Sequence, residues 1–332
     1  MPRGKKYPTK NIDPSEMTLT FPIGLIGSST GLKTTIDLSQ CASMVNRRFY
    51  RQGLNWAVAG FTLHSQSPAA GSISITRLPQ TWVVSGAWEK TMRTWLRQQN
   101  EAITDAGMES AVARFRDFKI HMDKTHVDSG FANNFIPSFK DYAGLWQYYT
   151  PGEWDNSLVV VPNESGAPGN TQEFSLHMVG DNDPAPAQSK AMIKAYAESR
   201  STPFSPDPVN IPGAEQGLFV QMFDKGSDQE EVVDNAIDRN DNLPYPQLDY
   251  PGSATNANGL VFHDNLTITG TTVSGKTSCG GATFPCGLIR LDIDQGLQAV
   301  EFAGEIRPTS WIQIHMVPGD HRGYMAESMV EM

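Results

Sequence analysis

Alternating apolar and polar positions along this chain predict a series of β-strands. In residues 71–78, Ile73 and Ile75 fall on one side of an extended chain, with serine and threonine on the other. Residues 53–65 are apolar at both sets of alternating positions, which is typical of a strand buried on both faces. Further strands are predicted in residues 17–27, 114–122, 156–163, 173–180, 259–270, 287–294 and 309–319.

Helical spacing of apolar residues is confined to the connections between these strands. In residues 85–103, Trp88, Met92 and Trp95 recur on one helical face, with Arg93 on the opposite face. This pattern predicts an amphipathic helix that packs against a core. Shorter helices are predicted after a cap at Asp37 or Ser39, over residues 187–199, and after a capping box at 227–230.

The predicted strands favour an all-β fold, a two-sheet antiparallel β-sandwich with helices inserted in long loops. A jelly roll is favoured over an immunoglobulin-like sandwich because long helical insertions suit it better. The absence of regular strand–helix alternation argues against a doubly wound α/β fold. We expect a single jelly-roll domain over residues 17–332, with a long loop and helix insertion at about 181–256, preceded by a basic arm over residues 1–16.

Composition and charge add two constraints to this picture. Gly and Pro supply 51 of the 332 residues, which suits short strands joined by turns. The net charge of −10 divides unevenly, with +7 in residues 1–120 and −17 in residues 121–332. A basic beginning on an acidic body predicts two differently charged surfaces, one of which can face a polyanion. No apolar run is long enough for a membrane helix, and no secretory signal is predicted at the N-terminus.

The segment "GTTVSGKT" at 270–277 matches the phosphate-binding loop pattern of nucleotide hydrolases. That chemistry requires a helix that starts at Lys276 and Thr277, so that backbone amides meet the phosphates. The residues that follow, "SCGGATFPCG", contain glycines and proline that do not sustain a helix. We therefore expect a hairpin loop here. The pattern G-x-S-x-G at 27–31 likewise lacks the helix that a nucleophile elbow needs.

No metal site or cofactor is predicted from the remaining polar residues. Histidines such as His177 and His315 lie within strand patterns and are interpreted as hydrogen-bonded sheet residues. The acidic loops at 180–184 and 238–242 lack EF-hand spacing and are interpreted as solvated loops rather than calcium sites. Free thiols are predicted for the three cysteines, Cys41, Cys279 and Cys286, although the last two are close enough in sequence to meet across a hairpin.

Basic residues near the N-terminus are the candidate nucleic-acid contacts. Guanidinium groups pair with phosphates, and aromatic rings such as those of Phe49 and Tyr50 can stack on unpaired bases. The alternative is a solvated surface patch whose aromatic rings point into the core. No base-reading motif accompanies the cluster, so binding is expected to be independent of sequence and sensitive to salt. The candidate residues are Arg3, Lys5, Lys6, Lys10, Arg47, Arg48 and Arg51.

The segment "IDLSQCASMVNRRFYRQGLNWAVAGFTLHS" at 36–65 resembles a known family. It is similar to the capsid proteins of small circular single-stranded DNA viruses that encode a replication initiator (CRESS-DNA viruses). The stretches "LWQYYTPGEWDNSLVVVPN" and "EFSLHMVGDN" are similar in character to the same group. The likeness covers about the first half of the chain. It lies in the residue character of these segments and in their order along the chain, not in a strict motif.

The resemblance implies a viral coat protein with a jelly roll of the capsid type. It implies self-assembly into an icosahedral shell, in the simplest (T=1) symmetry about 60 copies, through heterologous contacts that close. The basic residues would face a single-stranded DNA genome, with no enzymatic activity and no cofactor. The protein would be found in the virion, with assembly in the host nucleus an option, and its receptor unknown. Many relatives carry a long Arg-rich arm, whereas this chain has only four basic residues in its first ten.

Two other functional classes remain open at this point. A β-sandwich that binds carbohydrate or a receptor would present a surface groove of aromatic residues, drawn from Trp146, Tyr148, Tyr149 and Trp154. A hydrolase would use "GTTVSGKT", and Lys276→Ala would then abolish nucleotide binding.

Overall fold

Eighteen strands and four α-helices are assigned in the described part of the chain. The computed structural model describes residues 15–23, 32–66, 70–111, 116–162, 171–183, 189–201, 252, 259–297, 300–302 and 305–332. The helices are α1 (Leu38–Asn46), α2 (Trp82–Asp105), α3 (Lys124–Ser129) and α4 (Met192–Ser201). The strands are β1 (Thr18–Ile23), β2 (Leu32–Asp37), β3 (Leu54–Ser65), β4 (Gly71–Arg77), β5 (Ser138–Lys140), β6 (Trp146–Tyr148), β7 (Leu158–Pro162), β8 (Thr171–His177), β9 (Ser189–Ala191), β10 (Val261–Ile268), β11 (Lys276–Phe284), β12 (Leu288–Ile293), β13 (Val300–Phe302), β14 (Glu305–Arg307), β15 (Ser310–Met316), β16 (Pro318–Gly319), β17 (Gly323–Tyr324) and β18 (Ala326–Ser328).

Two antiparallel sheets account for most of the long strands. The seven-stranded sheet has the order β11-β3-β15-β1-β5-β6, with β18 also paired to β3. The four-stranded sheet has the order β10-β4-β12-β2. Every neighbouring pair in these two sheets is antiparallel, so the expected predominance of antiparallel β-structure is confirmed.

One hydrophobic core lies between the two sheets. Phe21, Phe61 and Ile312 project into it from the seven-stranded sheet, and Ile75 and Leu291 project from the four-stranded sheet. All five side chains are inaccessible to solvent. Facing apolar sets of this kind are the packing that a β-sandwich requires, and they follow from the alternation in the sequence.

A second core is built in the connection between β4 and β10. Residues 78–260 connect β4 to β10, which are neighbours in the four-stranded sheet. Within this connection, β7, β8 and β9 form a small sheet. Trp88 and Trp95 of α2 pack there with Phe118, and Phe174 of β8 lies in the same cluster. Of the predicted insertion at 181–256, residues 181–183, 189–201 and 252 are described.

Most predicted elements agree with the structure; two differ, and one long strand was not predicted. Of the predicted strand at 114–122, the described residues 116–122 form only one bridge, from His121 to His177, although backbone hydrogen bonds also link this segment to β8 and the residues around it. The predicted helix at 187–199 begins with the strand β9 before α4 starts. No strand was expected where β11 lies. The capping box at 227–230 lies outside the described residues, and none of the described helices is both long and apolar enough to cross a bilayer.

Strand β11 depends on glycines that argued against regular structure in the sequence. It pairs with β3 along its length, with Gly280 opposite Gly60. At Gly281 the two backbones approach so closely that an added Cβ would lie 1.8 Å from the carbonyl oxygen of Val58. A glycine inside a strand is typical of such a close approach.

We predict that Gly281→Ala destabilises the protein by about 2 kcal/mol or more, because the new Cβ meets backbone that has no room to move. The neighbouring variant Gly280→Ala is the matched control, since a Cβ there meets no atom within 4 Å. Urea unfolding should place Gly280→Ala within about 1 kcal/mol of the parent. Equal stability of the two variants would contradict this account of β11.

Candidate nucleic-acid interface

The segment that contains the candidate arginines is held by a buried carboxylate, that of Asp37. Asp37 ends β2 and caps α1, accepting hydrogen bonds from the amides of Ser39 (2.9 Å) and Gln40 (3.3 Å). Its other oxygen accepts bonds from the Gln52 amide nitrogen (3.1 Å) and the Trp154 indole nitrogen (3.1 Å). The cap predicted at this position is thus confirmed at Asp37, and it ties both ends of the 38–52 segment together.

The protonation of Asp37 is set by opposing effects. Complete burial raises the pKa of this carboxyl, and hydrogen bonds from Ser39, Gln40, Trp154 and Gln52 act to lower it. Burial is the larger effect, so the pKa lies above its ordinary value. In all of these bonds a carboxyl oxygen of Asp37 is the acceptor. This arrangement compensates a buried negative charge.

The three candidate arginines in this segment do not form one patch. Arg47 follows α1 in a left-handed conformation (φ 54°) and is exposed. Arg48 donates a hydrogen bond to the Ser15 hydroxyl (3.4 Å), where the described chain begins. Arg51 points elsewhere and donates to the carbonyl of Arg116 (2.8 Å). Arg47 and Arg48 therefore lie beside the attachment of the basic arm, whereas Arg51 faces the second core.

The aromatic residues between these arginines are structural. Tyr50 is fully buried and packs against Trp56 and Tyr324, with ring centroids 5.8 and 5.5 Å away. Phe49 packs against Trp154 at 6.0 Å. The interpretation that these rings point into the protein is borne out for Tyr50, which cannot stack on a base without unfolding the core.

A fourth arginine, Arg322, joins Arg48 near the arm. It is exposed, has a positive φ of 50°, and its guanidinium donates to the carbonyl of Phe49. Its own carbonyl accepts bonds from the hydroxyls of Ser15 (2.8 Å) and Tyr50 (3.0 Å). Arg322 was not predicted from the sequence because no local pattern links residue 322 to residue 48. The arm residues Arg3, Lys5, Lys6 and Lys10 lie outside the described residues.

A cavity of about 430 Å³ opens along β1, with Glu16 and Lys140 as its charged lining residues. The ammonium of Lys140 lies over the rings of Trp146 (4.7 Å) and Trp311 (4.8 Å), which are 5.9 Å apart. Tyr149 lines the same cavity, and its pKa is raised by burial and by the nearby carboxylate of Glu16, against a smaller lowering effect of Arg47. Aromatic rings beside cations are the combination that binds unpaired nucleotides.

The predicted aromatic groove is only partly assembled. Trp146 and Tyr149 line the cavity, whereas Tyr148 is exposed on β6 beyond it. Trp154 is engaged elsewhere, with its indole on Asp37 and Lys119 over its ring at 4.6 Å. Trp311 was not among the candidates, because pairing of β15 with β1 brings it here from a distant part of the sequence.

The phosphate-loop pattern lies in a turn between the two sheets. Residues 270–277 connect β10, in the four-stranded sheet, to β11, in the seven-stranded sheet. Lys276 and Thr277 start a strand, so the helix that a phosphate-binding loop requires is not formed here. The expected hairpin is wrong in one respect, because the two strands that flank this turn do not pair with each other. Strand β10 pairs with β4, and β11 pairs with β3. The pattern at 27–31 lies outside the described residues.

Three histidines form a buried cluster at the junction of the two cores. The ring of His121 lies 4.8 Å from that of His126, and its backbone bridges His177. His126 accepts a bond from the Met122 amide (3.0 Å) and donates to the Asn134 side chain (2.8 Å). The Nδ1 atoms of His121 and His177 have no partner in the described structure.

Metal coordination is not indicated in the described part of the chain, where no group of three or more ligating side chains converges. In the loop at 180–184, the carboxylates of Asp181 and Asp183 are paired with Lys194 (2.6 Å) and Lys124 (2.8 Å). The loop at 238–242 lies outside the described residues. Cys41, Cys279 and Cys286 are free thiols, with the first and last buried.

Comparison with known proteins finds no family model, no curated protein and no solved structure that matches this chain.

We predict that Asp37→Ala destabilises the protein by about 3–5 kcal/mol, through loss of the α1 cap and stranding of buried donors on Gln52 and Trp154. Asp105→Ala, at an exposed carboxylate, is the control and should change stability by about 0.5 kcal/mol or less. Urea unfolding of both variants tests this, and a small effect of Asp37→Ala would contradict the role assigned to the carboxylate.

We predict that acid destabilises the fold through the histidine cluster. Burial lowers the pKa of His121 to about 4, of His126 to about 3, and also that of His177. Unfolded imidazoles titrate near 6.5, so the unfolded chain binds more protons below that pH, and stability falls as the pH drops from about 6.5 to 4. The loss is about 1.4 kcal/mol per pH unit for each imidazole.

The variant His121→Phe tests this assignment. Its unfolding free energy should fall less steeply between pH 6 and pH 5 than that of the parent, by about 1 kcal/mol per pH unit. An unchanged slope would mean that His121 does not contribute to the acid sensitivity.

Proposed function

We propose that this protein is the jelly-roll subunit of an icosahedral viral capsid that encloses single-stranded DNA. The observation that carries the proposal is the nested pairing of eight strands: β1, β2, β3, β4, β10, β11, β12 and β15. Numbered one to eight along the chain, the first pairs with the eighth, the second with the seventh, the third with the sixth, and the fourth with the fifth.

This nesting supports a jelly roll, which we take to be a long antiparallel ribbon wound into two sheets. The resulting sheets have the orders six-three-eight-one and five-four-seven-two. An immunoglobulin-like sandwich instead contains several hairpins between consecutive strands. Here only the fourth and fifth strands are consecutive and paired, which supports the jelly roll. Jelly rolls are frequent in viral capsid and lectin domains.

The distribution of basic residues supports an interaction with nucleic acid. Arg47, Arg48 and Arg322 surround the point at which the basic arm joins the body, and a cavity with aromatic walls lies next to them. Contacts of guanidinium groups with phosphate do not discriminate between sequences, so binding is expected to be nonspecific and salt-dependent. We infer a structural role without catalysis or a cofactor, in the virion and, during assembly, in the host nucleus.

A second candidate function is glycan binding by the same fold. The cavity with Trp146, Tyr149 and Trp311 favours it, since aromatic faces with nearby hydroxyl and amide groups also suit sugar rings. If the protein binds glycans at this cavity, Trp311→Ala should abolish binding to a glycan array and leave binding to single-stranded DNA unchanged.

We predict that the full-length chain, purified after nuclease treatment, forms closed shells of uniform diameter at neutral pH and physiological salt. Negative-stain electron microscopy and sedimentation measure the particles, and nuclease protection measures enclosed DNA. The paired variant Arg47→Ala/Arg48→Ala should retain assembly and enclose less DNA, because it removes phosphate contacts without touching the core. A chain that stays monomeric at micromolar concentration under these conditions would overturn the capsid proposal.

A further inference from the structure

Residues 123–134, which include α3, lie at the junction of the two cores and are anchored by few side chains. His126, Phe131 and Asn134 are buried, whereas the other residues of this segment are exposed or partly exposed. Phe131 is the only buried apolar side chain of the segment. Its ring centroid lies 4.5 Å from that of His121 and 5.1 Å from that of His126. The packing of the segment therefore depends on imidazole rings.

Hydrogen bonds hold His126 in the neutral form. Its Nδ1 accepts a bond from the Met122 amide (3.0 Å), and its Nε2 meets the side-chain oxygen of Asn134 (2.8 Å). The amide nitrogen of Asn134 donates to the side chain of Gln40 in α1 (2.9 Å), so the oxygen of Asn134 is left to accept from His126. A second proton on this imidazole would be added at Nδ1, where it would face the N–H group of Met122. The charged ring thus loses one bond and gains no acceptor.

The other two imidazoles also have no acceptor for a second proton. The Nδ1 atoms of His121 and His177 are buried without a hydrogen-bond partner in the part of the chain that the structure describes. Nε2 of His177 is already bonded to the carbonyl of Asp181 (3.0 Å). Because a charged imidazole carries two N–H groups, burial of either one without an acceptor costs free energy. The closed structure therefore favours the neutral form of all three histidines.

The charged groups around the cluster do not offset a new positive charge. Asp155 is exposed, and the nearer carboxylates already pair with cations. These ion pairs are Asp123–Arg290 (2.5 Å), Asp183–Lys124 (2.8 Å) and Asp181–Lys194 (2.6 Å). An ion pair has no net charge, so it attracts a further cation only weakly. Arg290 is itself buried and adds a positive charge close to His126. Burial is the largest effect on the pKa of each imidazole and lowers it.

We propose that residues 123–134 are an acid-sensitive latch, which opens when the histidine cluster is protonated and before the sandwich itself unfolds. Three buried side chains anchor the latch, whereas the core between the two sheets is far larger, so local opening costs less than global unfolding. An imidazole that reaches water in the open state takes up a proton below about pH 6.5. Acid therefore shifts the equilibrium toward the open state. This response belongs to the single chain and does not depend on the capsid proposal.

Hydrogen–deuterium exchange of the full-length chain at pH 7, 6 and 5, corrected for the intrinsic exchange rate at each pH, tests the latch. The amides of Met122, Val127 and Gly130 are hydrogen-bonded in the closed state. They should exchange faster at pH 5 than at pH 6, by about fivefold to tenfold for each imidazole that opening exposes. The amides that pair β3 with β15 should keep their protection at both pH values.

Two variants separate the histidines from other groups that titrate in acid. His121→Phe keeps a ring against Phe131, and His177→Gln keeps a donor for the carbonyl of Asp181, but neither new side chain takes up a proton. Both should reduce the acid-induced rise in exchange, His121→Phe by about fivefold or more. His263→Gln, on β10, is the matched control and should leave the rise unchanged.

The outcomes are distinct. Faster exchange confined to the latch, and reduced in the two variants, is the expected result. An equal rise in β3 and β15 would mean that acid unfolds the whole protein at once, and the latch would be overturned. A rise that both variants leave unchanged would assign the opening to carboxylates such as Asp123, and exchange that does not respond to pH would exclude opening altogether. Either variant decides the assignment if the other does not fold.

Discussion

The buried carboxylate of Asp37 is the interaction on which the arrangement of the remaining parts depends. A charge in a protein interior is tolerated only where donors compensate for the lost water, and here these donors come from separate segments. Gln52 extends the network by bonding both the amide (2.7 Å) and the carbonyl (3.0 Å) of Ile120. The sandwich, helix α1 and the second core are therefore joined at one point, and the arginines of residues 47–51 are held between fixed ends.

The molecule has two unlike surfaces. Arg48 and Arg322 bond Ser15, and Arg47 follows Asn46, which bonds the amide of Glu16, so these arginines gather where the described chain begins. On the other sheet, carboxylates such as Asp292 reach the outer face. We infer that the first surface meets a polyanion, since a protein with a net charge of −10 binds one only where its acidic groups are kept apart.

Local patterns predicted the strands whose inward residues are uniformly apolar, such as β4 and β15, because burial on one face imposes a period of two. Strand β11 escaped prediction since Gly280 and Gly281 have low strand propensity, and the close approach to β3 that requires glycine is visible only in the pairing. Long-range pairing also explains why Arg322 and Trp311 were missed, as their partners lie far away in the sequence. For Tyr50, the sequence left open whether its ring stacks on bases or points into the core, and it belongs to the core because Trp56 and Tyr324 enclose it.

The central claim is that a jelly-roll subunit closes into a shell with the face that carries Arg47, Arg48 and Arg322 turned toward DNA. The most direct measurement is a cryo-electron microscopy reconstruction of particles assembled from the full-length chain with single-stranded DNA. We expect an icosahedral shell in which the face that carries Arg47, Arg48 and Arg322 lines the interior, with nucleic-acid density against these residues. A shell with this face turned outward or buried between subunits, or the absence of any closed particle, would contradict it.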